Sequence, residues 1–125
     1  MIQLDTSFLI AALVKDSAQD RALRAWLKAG EALAISAIAW GEFLCGPADQ
    51  GHLELASGIV PERLAFTGDD ATLAARLFNE SGRRRGTFGD CMISATAIRA
   101  DAVLATANLD DFRRFAKAGL VLARS

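Results

Sequence analysis

The feature of this sequence that most constrains its fold is a repeated alternation between short apolar segments and longer segments with helical periodicity. The short apolar segments predict five β-strands, at Ile2 to Leu4, Leu33 to Ser36, Leu64 to Thr67, Ala102 to Ala105 and Leu120 to Leu122. Strands separated by helices favour a parallel sheet with helices on both faces and right-handed crossovers. The sequence therefore predicts an α/β fold.

Helix start signals and apolar faces lie in the segments between these strands. They predict a helix capped by Thr6 or Ser7 through Leu13, one from Ser17 through Ala29, one from Ser36 through Leu44, one from Asp69 or Asp70 through Ser81, and one over Phe88 to Arg99. The stretch from Asp49 to His52 has loop-like composition, and we expect its histidine at the surface.

The length of 125 residues is that of one domain, and no repeat, linker or low-complexity tract divides it, so we expect one domain over residues 1–125. The longest apolar runs, such as Phe8 to Val14, are far shorter than the ~20 residues of a membrane-spanning helix, and the start has no basic leader segment. Cys45 and Cys91 are too few for a disulfide framework and form no metal-binding pair. These features predict a cytoplasmic protein without a membrane segment, in which both cysteines are reduced packing residues.

The net charge is -1, but the charge is unevenly divided along the chain. Residues 1–62 carry four Lys and Arg against eight Asp and Glu, whereas residues 63–125 carry ten against seven. The basic residues concentrate in Arg83 to Arg85 and in Arg113 and Arg114. A run of arginines is either a solvated loop or a surface that attracts phosphate, and its neighbours decide between the two.

Asp5 directly follows the first predicted strand, so its side chain is expected at the carboxyl edge of the sheet, where sites form in parallel α/β folds. A helix N-cap is the competing explanation. Glu42 is the only charged residue in the run from Ser36 to Leu44, and an unpaired charge buried in an apolar segment is costly. It lies either at the polar margin of its helix or in a site.

Asp90 is likewise the single charge in the apolar stretch from Phe88 to Ile98, and stabilisation of the first helical turn is its alternative explanation. Asp110 and Asp111 follow the fourth predicted strand. Acids near three strand ends on one edge are better explained by one shared cation than by separate roles.

Carboxylates that converge without a Lys or His repel one another, so such a cluster is expected to bind a divalent metal at neutral pH. Oxygen ligands indicate Mg²⁺ or Mn²⁺, which leaves room for a phosphate oxygen and a nucleophilic water. Because a metal-bound water is already acidified, this chemistry needs no general-base histidine.

Four motifs, in this order, resemble those of the PIN-domain family, specifically the VapC-like toxins of bacterial toxin-antitoxin pairs. They are Asp5-Thr6-Ser7, Gly41-Glu42-Phe43, Asp90 to Ala97 and Thr106 to Phe112. The resemblance covers nearly the whole chain and implies an α/β/α sandwich that cleaves RNA endonucleolytically with Mg²⁺ or Mn²⁺, so as to inhibit translation or growth. It also implies a VapB-like antitoxin that blocks the site, and a homodimer that can join a higher toxin-antitoxin assembly.

The family's metal-binding and catalytic roles carry over to Asp5, Glu42 and Asp90. Asp111 is predicted to be the fourth such acid, with Asp110 as a competitor for that role. Supporting roles at the same site are predicted for Thr6, Thr106 and Asn108. Because Asn108 stands where many relatives have Asp or Asn, the number of metal ions stays open.

Arg85 precedes Asp90 by five residues and is therefore predicted to contact the RNA phosphate backbone. Substrate choice would then depend on RNA shape or exposed bases. Trp26 and Trp40 lie in apolar helical runs, which favours core or subunit contacts over stacking on a base. The Ala- and Leu-rich helix faces also suit a subunit interface and an antitoxin-binding groove.

Three other functions compete with this one. A receiver domain binds Mg²⁺ through acids at strand ends, but it has adjacent acids after its first strand, where Asp5 stands alone. An Asp-x-Asp phosphatase is excluded because Ser7 occupies the second position. A catalytically inactive PIN-like module that binds RNA or protein is the third, and Asn108 is its best argument.

Overall fold

The structure, a computed structural model, describes residues 1–46 and 48–124. Five parallel strands form one sheet in the order β3-β2-β1-β4-β5. They are β1 (Ile2–Leu4), β2 (Leu33–Ser36), β3 (Arg63–Leu64), β4 (Val103–Ala105) and β5 (Val121–Leu122). The predicted α/β fold with a central parallel sheet is confirmed.

Helices connect the strands and flank the sheet. They are α1 (Thr6–Ala12), α2 (Ala18–Lys28), α3 (Ala37–Leu44), α4 (Gln50–Ile59), α5 (Gly68–Glu80), α6 (Phe88–Arg99) and α7 (Leu109–Phe112), followed by a 3₁₀ helix (Arg113–Ala118). Among these described segments, no helix is long and apolar enough to cross a membrane.

β1 is the central strand and sets the register of its two neighbours. Ile2 pairs with Leu33 of β2 on one side and with Val103 of β4 on the other. Every residue of β1 and β2 is buried, which requires cover on both faces of the sheet. The chain runs outward from β1 through β2 to β3, then crosses back to place β4 beside β1. Strand order thus reverses between β1 and β4, where clefts form at the carboxyl ends of parallel strands.

Helix capping follows the sequence at two helices and departs from it at two others. Ser17 and Ser36 cap α2 and α3 as predicted. Neither Thr6 nor Ser7 caps α1: Asp5, for which a helix cap was the competing explanation, accepts the hydrogen bond from the helix backbone. The predicted start of α5 is also wrong, because Thr67 is the N-cap and Asp70 completes a capping box with it.

The third strand is shorter and earlier than the predicted Leu64 to Thr67. Only Arg63 and Leu64 pair, with Ile35 and Ser36 of β2, because Thr67 is needed as the cap of the next helix. The fourth and fifth strands each begin one residue later than predicted.

α4 replaces the loop expected around Asp49 to His52. The Asp49 side chain accepts a hydrogen bond from the backbone N–H of His52 at 2.8 Å and so caps this helix. Gly51 and Gly58 lower the helix propensity of the segment, and tertiary packing of the buried Ala56 outweighs it. His52 is exposed, as predicted.

Both tryptophans pack on the core with part of each ring exposed, in agreement with their predicted role. Trp26 stacks on Phe8 with ring centroids 5.4 Å apart, and Trp40 lies 5.6 Å from Phe43. The outer face of Trp40 carries the Arg63 guanidinium, 4.0 Å from the ring centroid.

Both cysteines are free thiols. Cys91 is buried, and burial raises the pKa of its thiol, which keeps it protonated and unreactive. The prediction that both cysteines pack inside the protein is wrong for Cys45, which is exposed at the end of α3.

Asp70 joins α5 to α6. Its carboxylate is 1% exposed, accepts a hydrogen bond from the backbone N–H of Thr67 at 2.9 Å, and is ion-paired with the guanidinium of Arg99 on α6. Neighbouring Asp69 is exposed, with a carboxylate oxygen 3.9 Å from the same guanidinium. The buried acid therefore serves helix packing, although it lies among the acids of the sequence.

We expect Asp70→Ala to lower the free energy of unfolding by about 2–3 kcal/mol, because it removes the capping box and the ion pair that Arg99 makes with a buried carboxylate. The matched variant Asp69→Ala should change it by less than about 0.5 kcal/mol. Urea unfolding of both variants measures this difference, and equal losses would show that Asp70 does not join the two helices.

Candidate active site

Asp5 is held at the carboxyl end of β1, where strand order reverses. Its backbone N–H donates to the carbonyl of Ala105 at 3.0 Å, which extends the β1–β4 ladder by one step. Its side chain is 3% exposed, so the carboxylate lies under the surface of the cleft.

Three hydrogen bonds fix the Asp5 carboxylate. Oδ1 accepts from the backbone N–H of Phe8 at 2.8 Å and from the hydroxyl of Ser7 at 2.7 Å. Oδ2 accepts from the hydroxyl of Thr106, which follows β4, at 2.7 Å. The first bond is the N-cap considered from the sequence, but a cap does not explain the Thr106 bond, which crosses between two strand ends.

Burial raises the pKa of the Asp5 carboxyl above its usual range, although the bonds from Phe8, Ser7 and Thr106 lower it in part. The nearby Glu42 carboxylate raises it further. Asp5 is thus a rigid acid whose negative charge is incompletely compensated.

Glu42 reaches the same place from α3. It is exposed, and its Oε1 accepts a hydrogen bond from the Thr6 hydroxyl at 2.6 Å. A Cβ atom added at Gly89 would lie 3.0 Å from Oε2 of Glu42, so the glycine allows this carboxylate to lie against the first turn of α6. Glu42 is therefore both at the polar margin of its helix and beside Asp90.

Asp90 shows that the four acids share one electrostatic field. It is half-buried in the first turn of α6, and burial is the largest cause that raises its pKa to about 6. The charge of Asp111 raises it further, followed by those of Asp5 and Glu42, whereas Arg114 lowers it.

Asp111 and Asp110 are both exposed on α7, but they differ in their neighbours. Asp110 is ion-paired with Arg113, whereas Asp111 acts on the charge of Asp90. The structure thus favours Asp111 over its competitor. Asn108 is exposed, and its backbone N–H donates to the Thr106 hydroxyl at 3.0 Å, so it supports the residue that holds Asp5.

Two residues next to these acids, Ser7 and Arg114, were not predicted from the sequence to belong to the site. The Ser7 hydroxyl donates to Asp5 and accepts from the backbone N–H of Ala107 at 3.1 Å; its place directly after Asp5-Thr6 was the available signal. Arg114 had been noted only as part of a basic pair. Arg85 is exposed in the loop between α5 and α6.

The donor atoms of this site suit Mg²⁺ or Mn²⁺ in kind, because they are carboxylate oxygens. The pKa of Asp90 is raised by burial and then by the charges of the other acids, and a cation would relieve the repulsion among these charges. Over residues 1–46 and 48–124, however, no three His, Cys, Asp or Glu side chains already form a group that could hold a metal. Donor type and charge therefore fit a cation, while the exposed Glu42 and Asp111 would have to close around it.

The chain belongs to the PIN domain family, whose model matches residues 2–118. This match confirms the family predicted from the four motifs. It also rules out the alternative that the chain is a receiver domain. Among curated proteins, no sequence matches significantly.

Several solved structures have folds similar to that of this chain. VapBC2 from Rickettsia felis, bound to a DNA fragment from its promoter, matches with a TM-score of 0.77 and 24% identity over 98% of each chain. A toxin-antitoxin complex from Klebsiella pneumoniae matches with a TM-score of 0.73 and 26% identity, over 90% of this chain and 91% of that one. Mycobacterium tuberculosis VapC20, a toxin that cleaves the sarcin-ricin loop, matches with a TM-score of 0.69 and 20% identity over 100% of each chain.

Asp90 should make stability depend on pH in a defined direction. Its pKa is about 6 in the folded chain against an ordinary value of 3.8, so the folded state holds the proton more tightly. Its contribution to stability is therefore present at low pH and is lost as pH rises from about 4 to about 6. Without metal, Asp90→Asn should be more stable than the parent above this window by about 1–2 kcal/mol, after allowance for partial exposure.

Thermal melts of both proteins in EDTA across this range test the prediction. The melting temperatures should converge at the acid end and separate at neutral pH. Parallel curves, or a mutant that melts below the parent at neutral pH, would mean that Asp90 supports the fold rather than straining it.

Proposed function

We propose that this chain is a Mg²⁺- or Mn²⁺-dependent endoribonuclease and the toxin of a toxin-antitoxin pair. The observation that carries this proposal is the buried Asp5 carboxylate, joined to Thr106 where strand order reverses and coupled in charge to Asp90. Its setting in a PIN domain is the second support.

In this proposal Asp5, Glu42, Asp90 and Asp111 hold the cation and are the catalytic acids. Asp5 is the fixed ligand, because three hydrogen bonds leave it no rotational freedom. Glu42 and Asp111 are exposed, and they would supply further oxygen ligands to the ion. Supporting roles belong to Thr6, which orients Glu42, and to Thr106 and Asn108, which orient Asp5.

A bound Mg²⁺ or Mn²⁺ would acidify the attacking water and offset the negative charge of the phosphate. The chain itself then has to place the scissile phosphate and hold the ion. No base is required from His52, which is exposed in the first turn of α4.

Arg85 is proposed to contact the RNA backbone from the loop that leads into α6. Such a contact gives affinity without reading sequence. Arg85→Ala should therefore raise KM and leave kcat nearly unchanged, and a fall in kcat alone would contradict this role.

An RNA substrate also implies that the protein acts in the cytoplasm, which cell fractionation tests.

The decisive experiment is cleavage of a mixed RNA pool by the purified chain. The parent should cleave in Mg²⁺ and not in EDTA, and Asp90→Asn should cleave at least ~100-fold more slowly, because a charge that stabilises the reacting centre is lost. Mg²⁺ should raise the melting temperature of the parent but not that of the mutant. Asp101→Asn is the matched control: Asp101 is exposed, with a φ of 53° that asparagine tolerates.

Cleavage by Asp90→Asn at the parent rate would refute the role of this acid. RNA binding by the parent without cleavage in either metal would instead support the inactive PIN-like module. The absence of a ready-made metal-binding group among the described side chains is the observation that keeps this second function in view.

An antitoxin is proposed to bind an apolar cavity beside α1. The cavity has a volume of about 240 Å³ and is lined by Ile10, Leu13, Val14, Phe43, Gly46, Ala48 and His52. Ile10 of α1 and Val14, two residues after that helix, are 48% and 60% exposed, so the cavity has an apolar rim. The Klebsiella pneumoniae structure is a toxin-antitoxin complex, which supports a partner of this kind.

Co-expression with the small protein encoded beside this chain should yield a complex on size-exclusion chromatography. Val14→Glu should abolish it, because a charge would enter the apolar cavity. Val121→Glu, at a valine that is 56% exposed on β5, is the matched control and should leave the complex intact. If the parent forms no complex, the proposed antitoxin partner is refuted. We also propose that the chain forms a homodimer that can join a higher assembly, and elution of the free chain as a monomer would refute this.

A further inference from the structure

A second cavity includes Arg114, whose charge acts on Asp90, and the proposed function does not use it. It is formed between the end of α5 and the 3₁₀ helix by Leu77, Glu80, Ser81, Arg114, Phe115 and Lys117. Its volume is about 280 Å³, whereas a single water needs only ~10–15 Å³. The space is therefore large enough for a phosphate group and its hydration.

Arg114 has hydrogen-bonding groups that the rest of the structure does not satisfy. Its guanidinium carbon lies 4.6 Å from the centroid of the Phe115 ring, which holds the group in place. Its Nε and Nη2 atoms are buried and have no hydrogen-bond partner within the described part of the chain. Nε and Nη2 form one edge of the guanidinium, and through such an edge arginine donates two parallel hydrogen bonds to a carboxylate or phosphate. Because buried donors are normally paired, the unpaired edge indicates a ligand.

Arg113, the neighbouring residue, shows the contrast. Its side chain is 64% exposed and its guanidinium is bonded to Asp110. Two adjacent arginines of the same helix thus differ: one is satisfied at the surface, and the other lines a cavity with its binding edge unpaired.

The cavity adjoins the proposed active site. The charge of Arg114 is close enough to lower the pKa of Asp90. Ser81, another residue of the cavity, lies two positions before Arg83, the first of three consecutive arginines. The cavity thus lies next to Asp90 in space and next to the arginine loop in sequence.

We propose that this cavity is a phosphate-binding subsite, in which Arg114 and Lys117 hold an RNA backbone phosphate beside the scissile one. The inference rests on the nuclease function proposed above. Because Nε and Nη2 are buried, an anion in the cavity that Arg114 lines would bond to them only once the guanidinium turns toward it. Two cations and one carboxylate, that of Glu80, line the space, so its charge favours an anion over a metal ion.

A fluorescein-labelled, mixed-sequence single-stranded RNA is the probe, with fluorescence anisotropy measured in EDTA over a salt series. Arg114→Met should weaken binding by about tenfold, the loss expected for one charge-assisted contact. It should also reduce the slope of log affinity against log salt by about 0.7, the value for one phosphate of a single strand. Arg113→Met removes the same charge one residue away and should change the slope little.

Glu80→Gln gives a test of opposite sign at an exposed residue, where folding is not at stake. It removes the one carboxylate among the cavity residues named above and should strengthen binding of the same probe. Arg114→Lys keeps the charge but loses the bidentate edge, so it should bind less tightly than the parent; it replaces Arg114→Met if that variant does not fold.

Equal weakening by Arg114→Met and Arg113→Met, or no gain from Glu80→Gln, would overturn the subsite. If the parent cleaves RNA in Mg²⁺ while these variants bind alike, the subsite is wrong and the nuclease function stands. If the binding pattern holds but the parent does not cleave, the subsite stands as an RNA-binding site and the nuclease function fails. A parent that neither binds nor cleaves RNA would overturn both.

Discussion

The pairing of β1 with β4 is the interaction on which the rest of the structure depends. It places the residues after both strands side by side, so that the hydroxyl of Thr106 reaches the Asp5 carboxylate at 2.7 Å. β2 and β3 lie on the other side of β1, which makes this junction the point of reversal in the sheet. Parallel sheets leave a cleft at such a point, and the acidic site is built there.

Rigid and adaptable acids share the site, and this division has an electrostatic cause. Asp5 is buried and held by three hydrogen bonds, whereas Glu42 and Asp111 remain exposed, where water screens their repulsion. Asp90 lies between these extremes, and its pKa is raised to about 6 first by burial and then by the charges of the three other acids. Arg114 lowers that pKa, so the 3₁₀ helix offsets part of the negative charge at the strand ends.

Local sequence signals were sufficient where one residue's preference coincided with its tertiary role. The helix over Phe88 to Arg99 and the caps Ser17 and Ser36 follow directly from periodicity and capping chemistry. α4 could not be predicted in this way, because its two glycines disfavour a helix and only packing on the core stabilises it. Asp5 shows the intermediate case: its position at the sheet edge and a cap role were both considered from the sequence, but the bond from Thr106 depends on the pairing of β1 with β4.

By itself, the sequence determined the fold class and the family, and it placed the candidate acids near one edge of the sheet, because alternating strands and helices bring the ends of parallel strands to one edge. Only the tertiary structure decided how those acids differ. Burial and hydrogen bonding depend on neighbours that are distant in sequence, as with Asp5 and Thr106 or Glu42 and Gly89. The same dependence separates Arg114 from Arg113: the two residues are chemically identical and adjacent, and only packing against Phe115 and α5 gives one of them an unpaired edge.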